Sequence, residues 1–326
     1  MTKADRDTAR GLKQRLKDAM ATFHPDLKAG KFIPQITFGP RLVRLLNRSK
    51  PSAPPEVVDL IIEDRKVPGP PGAPEVTVRL FQPRALRGAA PALLWMHGGG
   101  MMMGNRAEND QGNIDFARTL GITVVSVEYR LSPQHPAPAA LEDCYAAFAW
   151  VAQAGEDLGI DPARIAIGGA SAGGGLTAGL ALMAHDRGEI QPVFQLLVYP
   201  MLDDRTTLRD DVDSKGLRGW NQRSNMNGWT SYLDRAPGGA GVSDYAAPAR
   251  RADLSGLPPA WIGVGTLDLF HDEDVTYARR LTDAGVPVQL DIIPGAFHAF
   301  DTFFSKKDVS KKFWCAQADA LRSALF

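Results

Sequence analysis

The sequence places one serine, Ser171, at the centre of the pentapeptide G-x-S-x-G, with Gly169 and Gly173 two residues to either side. The apolar residues before this serine suit a buried strand, and the residues from Leu176 onward suit a helix packed on that strand. A serine on so tight a turn has strained backbone angles, so its neighbours must lack side chains that would clash. This pattern predicts a nucleophile elbow, although the pentapeptide alone also fits a glycine-rich phosphate turn.

A serine hydroxyl becomes a good nucleophile only when a neighbouring base takes its proton, so the elbow predicts a histidine partner. The chain has six histidines. His298 alone follows the last predicted strand, in the segment Pro-Gly-Ala-Phe-His, where the top of a sheet is expected. We therefore predict that His298 is the base. The other histidines lie elsewhere in the pattern, at His24, His97, His135, His185 and His271.

An acidic residue must orient that histidine, and four carboxylates follow the strand predicted at residues 261–264. Asp268 lies in the loop beyond the strand. Asp272, Glu273 and Asp274 fall in the first turn of a helix, where the helix dipole alone favours carboxylates. We predict Asp268 as the acid, with Asp272 as the alternative, and the chain order is then Ser, Asp, His.

Attack on a carbonyl puts negative charge on its oxygen, and backbone N–H groups must stabilise that charge. The run His-Gly-Gly-Gly at residues 97–100 follows a strand that is apolar throughout, and its glycines let amides approach a ligand without obstruction. We predict an oxyanion hole from this run and from the N–H of Ala172, which follows the nucleophile. We expect His97 to hold the loop by hydrogen bonding and to take no part in proton transfer.

An alternation of strands and helices is expected to position these residues. Residues 57–62 and 75–81 alternate apolar and polar side chains around a Pro-Gly connection, which predicts an antiparallel hairpin. The remaining pattern predicts βαβ units and a mostly parallel sheet. The predicted strands are 92–96, 123–127, 165–167, 193–199, 260–264 and 288–293, and the predicted helices are 113–120, 139–151, 176–183, 272–284 and 307–325.

Two segments lie outside this alternation. Residues 5–23 show the apolar spacing of an amphipathic helix, and a second short helix is predicted near residues 38–46. Residues 201–257 are polar and turn-rich but hold aromatic residues such as Trp220, and they leave the sheet at the carboxyl end of a strand. Both segments are compatible with a simple surface cover and with a lid over a substrate.

Lys and Arg together number 37, as do Asp and Glu, so the formal net charge is zero. A chain without a basic field is not expected to bind nucleic acid or an anionic membrane. No stretch approaches about 18 uninterrupted apolar residues and the N-terminus lacks a signal-peptide core, so we expect a cytoplasmic protein without a membrane segment. Cys144 and Cys315 lack metal-ligand spacing and are expected to be buried free thiols in helices.

Taken together, the motifs resemble those of the hormone-sensitive-lipase-like family of α/β-hydrolase carboxylesterases. The resemblance implies an α/β-hydrolase fold, with a mostly parallel eight-stranded sheet flanked by helices and a helical cap. The implied cap comprises residues 1–50 and 201–257, on a core of residues 51–200 and 258–326. It also implies an oxyanion hole from Gly99, Gly100 and Ala172. The similarity covers residues 91–301, with HGGG at 97–100, YRLSPQHPAPAALED at 129–143, GASAGG at 169–174, GTLDLFHDED at 265–274 and GAFH at 295–298.

The chain departs from the family pattern after the HGGG run, where three methionines stand in place of the usual aromatic residue. A flexible methionine wall changes which acyl group fits. We predict that Met101, Trp220 and Tyr199 contact the substrate.

The sequence therefore predicts a serine carboxylesterase that hydrolyses short- to medium-chain acyl esters through an acyl-enzyme, with a triad of Ser171, His298 and Asp268 and without a metal or organic cofactor. Its expected partner is a small ester, and residues 288–293 are the expected interface of a homodimer. An amidase or peptidase with the same triad is an open alternative. A non-catalytic small-molecule receptor of the same fold is another.

Overall fold

An eight-stranded, mostly parallel β-sheet forms the centre of the protein. The computed structural model describes residues 23–86 and 88–326. The strands are β1 (Leu60–Val67), β2 (Val76–Pro83), β3 (Ala90–Met96), β4 (Thr123–Glu128), β5 (Ile160–Ala170), β6 (Phe194–Val198), β7 (Ala260–Leu267) and β8 (Val288–Phe297). Their order is β1-β2-β4-β3-β5-β6-β7-β8. β2 runs antiparallel to both of its neighbours, and the other neighbouring strands pair in parallel. The predicted sheet is thereby confirmed.

Helices connect the strands as the sequence pattern predicts. They are α1 (Pro40–Leu46), α2 (Asp110–Leu120), α3 (Ala139–Gln153), α4 (Ala172–Arg187), α5 (Gln222–Leu233), α6 (His271–Asp283) and α7 (Asp308–Leu325), with single turns at Gly155–Leu158 and Phe300–Phe303. Short 3₁₀ helices lie at Pro25–Phe32, Asp204–Leu208 and Pro248–Arg250. The helix predicted at residues 5–23 lies outside the described residues except for its last position. In the described part of the chain, no helix is long and apolar enough to cross a membrane.

The sheet is covered on both faces, and the side chains of β3 show how. Leu94 and Met96 join one apolar core with α3 and α4, whereas Leu93 and Trp95 join a second core with α2 and α7. Successive side chains of a strand point to opposite faces, so a strand between two helical layers is apolar throughout. Every residue of β3 is buried.

The predicted antiparallel hairpin is present, but the position predicted for its first strand is wrong. β1 begins at Leu60 and ends at Val67, rather than covering residues 57–62, and it pairs Leu60 with Pro83 and Val67 with Val76. The charged run at residues 63–66 breaks the alternation of apolar and polar residues on which the prediction depends. β1 lies at the edge of the sheet, where charged side chains reach water and are common.

Both cysteines lie in helices as predicted, but only Cys144 is buried, and Cys315 is exposed. The buried stripe of α7 includes Phe313, Gln317 and Leu321, at intervals of four residues. Cys315 lies two residues beyond Phe313, about 200° around the helix axis. It therefore falls on the solvent face, which its helical location alone did not reveal.

Candidate active site

Five parallel strands end at one edge of the sheet, and the residues that follow them converge there. His97 follows β3, Ser171 follows β5, Tyr199 follows β6, Asp268 follows β7 and His298 follows β8. The carboxyl edge of a parallel sheet is where α/β folds bind their ligands. The structure thus brings together side chains that are far apart in the sequence.

Ser171 stands on a sharp turn between β5 and α4. Its φ of 56° and ψ of −119° are strained for a residue with a side chain. A Cβ atom on Gly169 would lie 2.4 Å from the carbonyl oxygen of Gly173, and one on Gly173 would lie 2.1 Å from that of Met96. Both glycines are therefore required by close backbone contacts, as the sequence argument predicts.

A continuous line of hydrogen bonds joins Ser171, His298 and Asp268. His298 Nε2 lies 2.9 Å from Ser171 Oγ, and His298 Nδ1 lies 2.8 Å from Asp268 Oδ2. The other carboxylate oxygen of Asp268 accepts the N–H of Phe270 at 3.0 Å, which fixes the carboxylate plane. All three residues of the line are buried. This geometry lets the imidazole take a proton from the hydroxyl while the carboxylate stabilises the imidazolium.

The alternative acid, Asp272, points away from this line. Its carboxylate accepts from Arg209 Nη1 at 2.7 Å and contacts the His271 ring at 2.8 Å, on the surface of the protein. Hydrogen bonding to His271 lowers the pKa of Asp272, which Arg209 lowers further. The structure therefore favours Asp268 as the partner of His298.

The glycine run lies directly against Ser171. A Cβ atom on Gly98 would lie 3.6 Å from Ser171 Cβ, and Gly99 and Gly100 have φ angles of 110° and 62°. Ala172 is the first residue of α4, where an N–H has no acceptor within the helix. Across the described residues, the N–H groups of Gly99, Gly100 and Ala172 are engaged by no protein acceptor. They are thus free to bind an anionic oxygen.

His97 holds the loop and does not contact the triad. Its Nδ1 lies 2.8 Å from the carbonyl oxygen of Gly98, and its ring stacks on Tyr129 with centroids 4.1 Å apart. Burial lowers the pKa of His97 to about 4, so the ring is neutral at physiological pH. The expected hydrogen bond to the loop is confirmed.

Aromatic rings and a second carboxyl group surround His298. Tyr199 and Phe270 both meet its ring edge-on, with centroids 4.8 Å and 5.2 Å away. Tyr199 Oη donates to Asp301 Oδ1 at 2.9 Å. Burial raises the pKa of Asp301, and burial together with the Asp301 charge raises that of the Tyr199 phenol well above its usual range. The tyrosine therefore stays a neutral donor beside His298.

A cavity of about 860 Å³ opens onto Ser171 and His298, a volume typical of sites for small organic ligands. Two of the three predicted substrate contacts, Trp220 and Tyr199, lie in its wall. A neighbouring cavity of about 770 Å³ contains none of the triad residues.

The structure does not place Met101, the third predicted contact, in the cavity wall. Met101 is buried in the core, and a Cβ atom on Gly175 would lie 3.4 Å from its Cε. The loop turns back here, because the N–H groups of Met102 and Met103 both donate to the carbonyl oxygen of Gly99. Met103 is the methionine that reaches the cavity.

Sequence reasoning missed further residues of the cavity wall, among them Phe38 and Glu108. Phe38 comes from the N-terminal segment, and no local pattern indicates its distant partner. Glu108 is exposed to the cavity. Shielding from bulk water and the nearby charge of Glu128 raise the pKa of Glu108 to about 7. An acidic residue in a polar loop gives no sequence signal of such a shift.

The similarity to known proteins extends beyond the residues of the site. A family model described as alpha/beta hydrolase fold matches residues 93–302. Carboxylesterase NlhH of Mycobacterium tuberculosis is 38% identical over 260 residues, which cover 77% of this chain and 79% of the relative. Esterase LipI of the same organism is 36% identical over 283 residues, covering 84% of this chain and 85% of the relative. The solved structure of a bacterial heroin esterase aligns with a TM-score of 0.84 and 36% identity, covering 94% of this chain and 98% of that one.

Proposed function

We propose that this chain cleaves short- to medium-chain acyl esters through an acyl-enzyme on Ser171. The premise is that the chain belongs to the alpha/beta hydrolase fold family and is a carboxylic ester hydrolase. The family match confirms the resemblance to hormone-sensitive-lipase-like carboxylesterases. The observation that carries the proposal is the unbroken line from Asp268 through His298 to Ser171, at 2.8 Å and 2.9 Å, whose last two members line a cavity.

In the proposed acylation step, Ser171 Oγ attacks the ester carbonyl while His298 Nε2 accepts the hydroxyl proton. Asp268 keeps the imidazole in the tautomer that can accept, and its charge stabilises the imidazolium. The developing oxyanion accepts hydrogen bonds from Gly99, Gly100 and Ala172. The tetrahedral intermediate then expels the alkoxide, which takes the proton from His298 and leaves as the alcohol.

Deacylation repeats the same steps with water as the nucleophile. His298 takes a proton from the water that attacks the acyl carbon, and the same N–H groups stabilise the second oxyanion. Collapse of this intermediate breaks the bond to Ser171 Oγ, which recovers its proton from His298. One water is consumed, and one carboxylic acid is released for each ester.

The test of this proposal compares esters and anilides that share one acyl group. We expect the enzyme to hydrolyse p-nitrophenyl esters from acetate to octanoate, with far lower kcat/KM on the matched p-nitroanilides. Ser171→Ala is the control for background hydrolysis. Comparable or faster cleavage of the anilides would indicate an amidase, and no turnover of either substrate would indicate a receptor that uses the same fold.

We also propose that residues 1–50 and 201–257 form a cap over the core of residues 51–200 and 258–326. Hydrogen bonds between the two segments support this division. The N–H of Phe38 donates to Ser224 Oγ at 3.0 Å, and the side-chain amide of Asn227 donates to the Phe38 carbonyl at 3.0 Å. Phe38 also lines the cavity together with Trp220. The cap therefore contributes side chains to the substrate wall.

Removal of residues 1–30 tests whether the N-terminal segment contributes to the acyl pocket. Each methylene that loses apolar contact costs about 0.8 kcal/mol, so the loss of kcat/KM should grow with acyl length. A folded truncation with the same chain-length profile as the full chain would show that the segment is only a surface cover.

We further propose that two copies of the chain pair through β8. This strand forms an edge of the sheet, and Ile292 on it is 40% exposed. Sedimentation at micromolar concentration should give a dimer that Ile292→Lys weakens. A monomer would contradict the proposal.

A further inference from the structure

Two consecutive residues of the segment between β6 and β7 lie against both halves of the proposed catalytic machinery. Gly219 has a φ of 73°, and a Cβ atom on it would lie 2.3 Å from the carbonyl oxygen of His298. Trp220 occupies the space above Gly100, where a Cβ atom would lie 2.4 Å from Cη2 of the indole and 2.9 Å from Cζ2. The segment thus contacts the loop that bears the base and the loop that bears the oxyanion donors.

The indole of Trp220 is itself held in place from two sides. Its Nε1–H donates to Asn225 Oδ1 at 3.3 Å, and its ring stacks on Phe38 with centroids 5.7 Å apart and an angle of 23°. Only 4% of Trp220 is exposed. A buried ring with a hydrogen bond and a stacking partner has little freedom to move, so it presents a fixed surface to Gly100.

A second contact from the same segment reaches Gly100. A Cβ atom on Gly228, in α5, would lie 3.0 Å from the carbonyl oxygen of Gly100 and 3.5 Å from Cζ2 of Trp220. The indole therefore covers the α-carbon of Gly100, and α5 lies against its carbonyl oxygen. Glycine has many accessible conformations, and a run of three glycines has little intrinsic preference for one of them. The enclosure supplies the constraint that the sequence of the loop lacks.

We propose that Trp220 is a positioning residue for the oxyanion hole, holding Gly100 so that its N–H points at the tetrahedral oxygen. This inference rests on the proposed acyl-enzyme function. An oxyanion donor acts only when it lies about 2.7–3.1 Å from the position of the developing charge, so a small rotation of the peptide removes its effect. The cap segment thereby controls the rate of the chemical step as well as the shape of the cavity.

Trp220→Phe tests this role with the least disturbance. Phenylalanine keeps an aromatic ring beside Phe38 but lacks the outer ring atoms Cη2 and Cζ2 that contact Gly100. The matched control is Trp229→Phe, which truncates a second buried indole, one that lies on α5 and is not among the nearest neighbours of Gly100. Trp220→Ala is a larger version of the same change.

The measurement is kcat and KM for an ester and for its thionoester, in which sulfur replaces the carbonyl oxygen and makes a poor acceptor for N–H groups. Removing an oxyanion donor costs about 10²- to 10³-fold in kcat, and misaligning one should cost about 10- to 100-fold. We expect Trp220→Phe to lower kcat for the ester with little change in KM, and to reduce the preference for ester over thionoester about tenfold. Trp229→Phe should lower the thermal stability but keep that preference.

A higher KM with unchanged kcat and unchanged preference for the ester would show that Trp220 is only a cavity wall, and would overturn the inference. Equal loss of preference in Trp229→Phe would also overturn it, because general loosening of the cap would then explain the effect. Covalent labelling of Ser171 by a fluorophosphonate, measured in the unmodified enzyme, separates the two levels. An unlabelled Ser171 would reject the acyl-enzyme function. A labelled Ser171 together with either of the two contradicting kinetic outcomes would reject only the role of Trp220.

Discussion

Replacing Asp268 by asparagine should nearly abolish turnover without unfolding the protein. The amide oxygen of the introduced side chain can still accept the N–H of Phe270, a bond now made at 3.0 Å by Asp268 Oδ1. The amide nitrogen would then replace Oδ2, which lies 2.8 Å from His298 Nδ1. Two N–H groups cannot face each other, so the imidazole would carry its proton on Nε2 and could no longer accept from Ser171. A wrong tautomer and a lost charge predict a drop of roughly 10⁴-fold in kcat.

The expected loss of kcat can be expressed as a free energy. A 10⁴-fold loss corresponds to about 5.5 kcal/mol of transition-state stabilisation, at about 1.4 kcal/mol for each factor of ten. Asp272→Asn provides the matched control, since its side chain is 56% exposed and pairs with Arg209. Exposed ion pairs are worth about 0–1 kcal/mol, so this change should alter kcat/KM by less than about fivefold.

The assay is steady-state hydrolysis of p-nitrophenyl acetate and butyrate by both variants, with circular dichroism to verify folding. Asp268→Asn should retain the unmodified spectrum and lose nearly all activity. A nearly silent Asp268→Asn together with a severe Asp272→Asn would refute the assignment of the acid. Activity of Asp268→Asn within tenfold of the unmodified enzyme would refute the account of the tautomer.

Two further predictions concern stability. Gly173→Ala should lower Tm by several degrees, because its Cβ atom would lie 2.1 Å from the carbonyl oxygen of Met96. Gly239→Ala should leave Tm unchanged in the same melt, because its Cβ atom would lie 4.0 Å from its nearest described neighbour, the carbonyl oxygen of Ala236. Equal Tm values for the two variants would contradict the close packing of the elbow. The pKa of Glu108 is raised to about 7 from an ordinary 4.5, so its contribution to stability is present below about pH 4.5 and is lost as pH rises through about 7. Glu108→Gln should therefore raise Tm at pH 8 but not at pH 4.5. A gain in Tm of equal size at both pH values would show that the carboxyl group is not responsible.

The geometry of the proposed triad follows local rules that a sequence can express. Close contacts around Ser171 require glycine at positions 169 and 173, and this requirement is visible in the pentapeptide itself. The choice of Asp268 over Asp272 depended on where β7 ends and α6 begins, and apolar periodicity locates both elements. The alternation of strands and helices likewise placed the sheet and its carboxyl edge.

The wall of the cavity depends instead on contacts between distant segments. Met101 and Met103 are equivalent in the sequence, and only the turn closed on the carbonyl of Gly99 determines which of them reaches the cavity. Phe38 and Trp220 stack although they are 182 positions apart in the chain. No periodicity encodes such a pairing, because it arises from how two segments distant in the sequence pack against each other.

Covalent labelling of the serine tests the central claim most directly. The full-length enzyme is incubated with a fluorophosphonate, and the modified residue is identified by peptide mass spectrometry, with Ser171→Ala and His298→Ala as comparisons. The account predicts one adduct, on Ser171, that is absent from Ser171→Ala and forms far more slowly in His298→Ala. An adduct on another residue, or no adduct on the unmodified enzyme, would contradict the claim that His298 activates Ser171 as the nucleophile.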